Sequence, residues 1–411
     1  MTGRALILIE GNTTGTGLMY IQAAQRLGLH PVTLAADPTR FEYLTTEKIE
    51  TVRVDTTDLE ALIRECSRLG ATYDIAGITC AKEAFYATVG KLCRYFNLPG
   101  PTPWPIERCC DKVDQRQLLG EGGVSIPNYR VAANAKDVER CAAEIGLPVV
   151  LKPAEGSGSI GVRLCRTSDE LAEHVAHLLG GNHIWRSTPR ILVEEFARGS
   201  HYSVDMMGNE VIGIAAAEFG EPPHFVCCEY TYPAVLTGEQ HRRIVDTAQS
   251  SLRALGLGWG PANIDLRWTE RGPVVIEVNP RMAATPTPQL FKLAYGVDLI
   301  TEYIKLVIGD QWDLRKRHSH TAAARILIPS RDGILHWIDK GSRAVDIPGV
   351  AEVKLYTEHK APIVRKGDTF DRIGYVIAAS PSLSETEAIL QRATDLIQWA
   401  ITPFPAATEQ E

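Results

Sequence analysis

Over the first hundred residues, short apolar runs alternate with stretches in which apolar side chains recur every three to four positions. Residues 5–10, 31–35 and 75–79 are strand-like, and residues 18–27, 59–69 and 85–96 carry the helical period. That alternation predicts βαβ units, hence a parallel sheet with helices on its faces. The proline-rich run Pro99-Gly100-Pro101-Thr102-Pro103-Trp104-Pro105 predicts a boundary, giving a first unit over 1–105. From 106 to 318 helices mix with strands of hairpin character, and a smaller lid subdomain is expected over about 127–196. Strand-like runs at 322–328, 350–356 and 373–378 then precede a helix expected at 384–400, which predicts an α+β unit over 319–411. The fold class is therefore α/β followed by α+β.

Residues 262–268 alternate as a half-buried strand, and 274–276 lead into Glu277-Val278-Asn279-Pro280-Arg281 after a turn at 269–273. A hairpin centred on Arg271 sets Asp265 opposite Glu277 and Asn263 opposite Asn279, with Asp265, Glu277 and Asn279 on one face. Opposed carboxylates repel unless positive charge sits between them. A set of oxygen donors alone suits Mg²⁺, which usually arrives with phosphate. A solvated acidic hairpin edge is the structural alternative.

Composition narrows the classes. With 411 residues, 45% apolar and 23% charged, the chain has material for two or three domains with real cores. A net charge of −7 argues against non-specific binding to nucleic acid or acidic membranes. No run approaches the roughly 18 apolar residues of a membrane span, and the N-terminal apolar run is too short for a signal peptide. Nine cysteines lack any Cys-x-x-Cys spacing, and the adjacent pairs Cys109-Cys110 and Cys227-Cys228 do not fit a zinc site. Reduced thiols in a cytoplasmic protein are expected.

Two glycine-rich segments carry candidate chemistry. Gly11-Asn12-Thr13-Thr14-Gly15-Thr16-Gly17 joins a strand to a helix, a place where backbone N–H groups bind anions. Its spacing also fits short-chain dehydrogenases, with Asp37 downstream; but the Tyr-x-x-x-Lys pair they need occurs at Tyr356 and Lys360, in the last unit. The second segment follows a strand ending in Lys152: Gly156, Ser157, Gly158 and Ser159 form a loop that leads into another strand. A Walker loop leads into a helix and ends in its lysine, whereas here the lysine precedes the loop. Such a flap can close its amides over phosphates while the lysine meets them from below. A purely structural glycine-rich hairpin loop is the alternative. The strand at 191–196 ends in Glu194-Glu195-Phe196, suited to an adenine edge and ribose hydroxyls or simply to a strand end, and Lys112 opens a helical segment.

In this order, Lys112, Lys152 with its flap, Glu194-Glu195, Asp265 and Glu277-x-Asn279-x-Arg281 resemble the ATP-grasp superfamily over nearly the whole chain. Finer matches resemble its carboxylate–amine ligase branch, which includes L-amino-acid ligases: Glu194-Glu195-Phe196 with Tyr202-Ser203-Val204-Asp205, Pro223-His224-Phe225-Val226, Gly260-Pro261-Ala262 and Ala324-Arg325. The resemblance implies an N-terminal Rossmann-like (pre-ATP-grasp) domain, an ATP-grasp domain and a C-terminal mixed domain. It implies that Lys112 and Lys152 bind ATP phosphates under the flap, and that Glu194, Glu195 and Phe196 surround adenosine. Asp265, Glu277 and Asn279 would hold Mg²⁺, with Mn²⁺ as its substitute. Arg281 would stabilise the transferred phosphoryl group and the acyl phosphate, and Arg325 from the last unit would assist it or hold a substrate carboxylate. His224, Glu229 and Tyr230 become candidate substrate contacts, and homodimerisation is expected on the resemblance alone.

The chain departs from the branch, and the resemblance implies that several of the changed positions border the acceptor pocket. Cys227 and Tyr230 stand where the branch has glutamate and histidine, Asn263-Ile264-Asp265 replaces His-x-Glu, and Met282-Ala283-Ala284-Thr285-Pro286 replaces a glycine-rich turn. The expected activity is ATP-dependent: a small carboxylate, an amino acid above all, becomes an acyl phosphate and is coupled to an amine, releasing ADP and phosphate. Bicarbonate-dependent carboxylation and acyl transfer to a carrier thiol are alternatives on the same fold. A non-catalytic nucleotide-binding protein and an NAD(P) oxidoreductase are alternatives of another class.

Overall fold

The computed structural model describes residues 3–13, 15–182, 188–339, 341–357 and 360–404. Met1 and Thr2 of the N-terminal run, Thr14 of the first glycine turn and residues 405–411 of the last unit lie outside the described residues.

Arg4–Ile9 is apolar almost throughout and buried from Ala5 onward, as a strand covered on both faces requires. It lies inside a parallel sheet ordered Glu50–Arg53, His30–Ala35, Arg4–Ile9, Asp74–Thr79. The 50–53 strand was not expected: four residues at the sheet edge need little apolar pattern. Helices Thr16–Arg26, Leu59–Gly70 and Tyr86–Tyr95 follow where the helical period placed them.

An eight-stranded antiparallel sheet dominates the rest. Its order is Gly272–Asn279, Pro261–Thr269, Ser200–Met207, Glu210–Phe219, Cys227–Tyr232, Thr321–Leu327, Gly374–Ser380, Val350–Leu355. Three strands from beyond residue 318 thus extend the same sheet, joined through the pairing of 227–232 with 321–327. A separate four-stranded antiparallel sheet, Tyr129–Ala132, Ile191–Glu195, Val149–Pro153 and Arg163–Cys165, has its own core around Val138, Leu151, Leu171 and Val193. The expected 384–400 helix ends early. It runs Leu383–Asp395, and Trp399–Thr402 turns back as a strand against Gly333–Ile338. Among the described residues no helix is long and apolar enough to cross a membrane, and all nine cysteines are free thiols.

Candidate active site

The hairpin sets Asp265 opposite Glu277 and Asn263 opposite Asn279, as the alternation requires. The route to that register differs from expectation. Thr269 pairs with Gly272, so the turn is the two residues Glu270 and Arg271 rather than a loop centred on Arg271. That shorter turn alone would oppose Asp265 to Ile276. A bulge supplies the extra residue and restores the Asp265–Glu277 pairing. Asp265, Ile276, Glu277, Asn279 and Arg281 all line one cavity of about 1050 Å³.

Gly272–Asn279 is an edge strand, and the helix Lys112–Glu121 secures it. Asp111 caps that helix, accepting from the amides of Val113 at 2.9 Å and Asp114 at 3.2 Å. The cap fixes the helix start, so Lys112, Gln115 and Arg116, at i, i+3 and i+4, share the face toward the strand. The Gln115 amide donates to the Val278 carbonyl at 2.8 Å and accepts from its N–H at 2.9 Å. Arg116 donates to the Ile276 carbonyl, and Lys112 Nζ lies 2.9 Å from Glu277 Oε1.

Behind the wall lies a buried charge network. Glu194, 3% exposed, accepts from Arg116 Nε at 2.6 Å and pairs with Lys152 Nζ at 2.5 Å. Burial raises the Glu194 carboxyl, but Arg116 and Lys152 outweigh it and leave it below the ordinary range. For Lys152, burial and then Arg116 win over Glu194, pushing the ammonium down to about 8. Burial also opposes the charge on Lys112, yet Glu277 outweighs it and raises the ammonium. Glu277 is held below its usual range because Lys112, then Lys152, overcome its desolvation.

The flap docks across the cavity. Lys112 Nζ donates to the Gly156 carbonyl at 2.6 Å, Thr369 N–H to the Gly158 carbonyl at 3.0 Å, and Ser159 Oγ to the Phe225 carbonyl at 2.8 Å. Gly158 has φ +68°, and a Cβ there would stand 2.6 Å from Thr369 Cγ2, so this position needs glycine. Phe196 and Phe225 have ring centroids 6.1 Å apart, with the Arg267 guanidinium 5.3 and 5.9 Å from them. Arg281 enters from the far side. Its Nε is 2.8 Å from Glu83 Oε2 and its terminal nitrogen 3.2 Å from Asn279 Oδ1.

Two lysines, a docked glycine flap, paired carboxylates and an arginine share one cavity. A family model described as ATP-grasp domain matches residues 145–288, and one described as L-amino acid ligase C-terminal domain 2 matches 325–402. The chain belongs to the ATP-grasp superfamily, in its carbon–nitrogen ligase branch. It is 60% identical over 408 residues to an uncharacterized protein, y4rH, of Sinorhizobium fredii, covering 99% of this chain and 85% of that one. It is 29% identical over 242 residues to carnosine synthase 1 of Mus musculus, covering 54% of this chain but only 29% of the synthase. The crystal structure of L-amino acid ligase from Bacillus licheniformis superposes with TM-score 0.83 at 21% identity, covering 98% of this chain and 100% of that one.

Within this cavity not every expected residue converges. Lys112, Lys152, Gly156, Ser157, Gly158, Ser159, Glu194, Glu195, Phe196, Tyr230, Asp265, Glu277, Asn279 and Arg281 line the cavity. Arg325, Glu229 and His224 do not. Arg325 Nε donates to Glu229 at 2.8 Å and its terminal nitrogen to Gln391 at 2.6 Å, on the sheet face covered by the helix Leu383–Asp395. Strand alternation sends Glu229 to that face and Tyr230 to the cavity. The His224 ring rests on Gly367, where a Cβ would come within 2.1 Å of it. The Glu194 carboxylate is committed to Arg116 and Lys152. Glu195 is bound by Arg271 at 2.9 and 3.1 Å.

Sequence reasoning passed over Arg116, Gln115, Glu83, Arg267 and Arg372. The helical spacing from Lys112 was a usable signal for Arg116 and Gln115; the other three have partners or neighbours far away in sequence. The first glycine turn also borders the cavity, through Gly11, Asn12 and Thr13, whereas Asp37 only caps its own turn at Thr39.

Proposed function

We propose that the protein activates a small carboxylate, an amino acid above all, as an acyl phosphate at the expense of ATP and couples it to an amine, releasing ADP and phosphate. The observation that carries this reading is the convergence of Lys112, Lys152, Glu277, Asn279 and Arg281 on one cavity beneath the 156–159 flap.

A carboxylate is a poor acyl donor because its oxide does not leave. In the proposed reaction a carboxylate oxygen attacks the γ-phosphorus, the bond to the ADP oxygen breaks, and an acyl phosphate results. The amine then attacks the acyl carbon, and phosphate departs with the bonding pair as the amine loses a proton. Lys112 and Lys152 would meet the phosphate oxygens, and Arg281 would neutralise the moving phosphoryl group. Two carboxylates and an amide oxygen, completed by phosphate oxygens, fit a hard divalent cation, with Asp265, Glu277 and Asn279 as its holders. When bound, Mg²⁺ or Mn²⁺ would offset phosphate charge and orient the γ-phosphate. The docked flap would keep water from the acyl phosphate.

The match of 325–402 to the L-amino acid ligase C-terminal domain supports amide formation over carboxylation or thiol acylation. The same reading takes the chain as three units, 1–105, 106–318 with its lid at 127–196, and 319–411, in a cytoplasmic homodimer acting on small molecules.

Amino-acid pairs supplied with ATP and Mg²⁺, followed by phosphate release and product mass, test the reading. ADP together with a condensed amide is expected. Bicarbonate-dependent ADP release, or AMP, would overturn it. Glu277→Ala should abolish turnover while the protein keeps its circular dichroism spectrum; retained activity would refute the metal assignment.

A further inference from the structure

The cations on the cavity wall mostly have partners. Lys112 faces Glu277, Lys152 faces Glu194, Arg281 faces Glu83, and Arg267 stacks over Phe196 and Phe225. Arg372 is different. It follows the short Thr369–Asp371 turn on which the flap docks, lines the cavity and is half-buried. Its Nε is sealed from solvent and has no hydrogen-bond acceptor among the described residues, and none of their carboxylates lies within 4.0 Å of its guanidinium. Buried donors are almost always satisfied, so an orphaned guanidinium facing a ligand cavity marks a place for an anion.

The surroundings say which anion. The charge of Arg372 acts on Cys227, Tyr230 and Tyr356, and Tyr230 also feels the Asp265 carboxylate. Tyr230 is therefore near both Asp265 and Arg372. Tyr230 and Tyr356 both line the cavity, adding phenol hydroxyls beside a planar guanidinium fork. That combination matches a carboxylate, which takes paired N–H donors and an O–H donor. On the ligase reading, the nucleotide phosphates would be met by Lys112, Lys152 and the flap amides.

We propose that Arg372 binds a substrate carboxylate other than the one that is activated. This rests on the ligase reading. It names the residue that selects the partner, in place of Arg325, which turns to the opposite face of the sheet.

The test has two arms. In the first, turnover of wild type, Arg372→Gln and Arg372→Lys is measured with the twenty proteinogenic amino acids as acceptors and with their carboxamides. Loss of a charge-assisted pair should raise KM for the acceptor amino acid by about 10- to 100-fold. KM for ATP should hold, the carboxamide should be nearly insensitive, and Arg372→Lys should fall between. Using dicarboxylic acids and their half-esters as donors separates an acceptor carboxylate from a second carboxylate on the donor. In the second arm the same probes are titrated calorimetrically against each protein with Mg²⁺ and ADP, which needs no chemistry. Carboxylate-dependent binding that Arg372→Gln abolishes upholds the proposal even if no amide forms, in which case the ligase reading alone fails. Equal losses for acid and carboxamide, a change confined to ATP KM, or no binding of any carboxylate probe to wild type would overturn it.

Discussion

Lys152 keeps its proton against its surroundings, since burial and Arg116 together push its ammonium down to about 8. Arriving phosphate would reverse that balance and raise it. Binding of ATP with Mg²⁺ at pH 8 should therefore take up a fraction of one proton, and the uptake should fade below about pH 6.5, where the lysine is already charged. Calorimetry in buffers of different ionisation enthalpy reads this directly, and buffer-independent heats would refute it. The same depression bears on the ligand-free protein. Between pH 8 and about 10.4 the unfolded chain binds more protons at this lysine than the folded one, so its contribution to stability rises with pH across that window. Glu194 explains why so unfavourable a charge is kept: its buried carboxylate is paired with both Lys152 and Arg116.

At the scale of elements, the helix Lys112–Glu121 and the edge strand Gly272–Asn279 act as one unit. Gln115 and Arg116 occupy the backbone groups of Ile276 and Val278 that a free edge would present to solvent, and they fix the orientation of Glu277 between them. Lys112 of the same helix holds the flap at Gly156, and Thr369 and Phe225 hold it from elsewhere. Gly158→Ala would place an L-residue at φ +68° and drive its Cβ into Thr369, loosening the dock. Left-handed strain of about 1–2 kcal/mol corresponds to roughly a tenfold rise in KM for ATP. More phosphate should be released per amide formed, because water would reach the acyl phosphate. Comparing phosphate release with product yield checks both effects, and an unchanged ratio would argue against a water-excluding flap.

Across the whole molecule, the continuous eight-stranded sheet makes the last unit inseparable from the site. Ala322, Ala324, Ile326, Tyr375 and Ile377 pack into the same core as the N-terminal parallel sheet. A fragment ending at residue 318 would uncover that core and leave Cys227–Tyr232 as an open edge beside the cavity. It should aggregate or unfold without a cooperative transition, whereas the full chain should unfold cooperatively and gain about 2.7 kcal/mol at ligand concentrations of 100 Kd. Denaturant titration of both proteins, with and without ATP and Mg²⁺, tests this; a cooperatively folding fragment would contradict it.

The sequence by itself determined what depends on local period and spacing. The βαβ start, the Asp265–Glu277 pairing and the strand–flap–strand around Lys152 all follow from alternation and glycine placement, and the ordered motifs carried the family. Even the pairing was reached with help, since the unforeseen bulge at Ile276 compensated for a turn one residue shorter than expected. Tertiary structure decided what depends on long-range partners. Arg281 meets Glu83 across 198 residues and Arg116 meets Glu194 across 78, separations at which no spacing rule operates. It also decided which of two arginines in the last unit serves the cavity. A strand has two faces, and only the packing of Leu383–Asp395 against one of them turned Arg325 away, while the turn at Thr369–Asp371 brought Arg372 in.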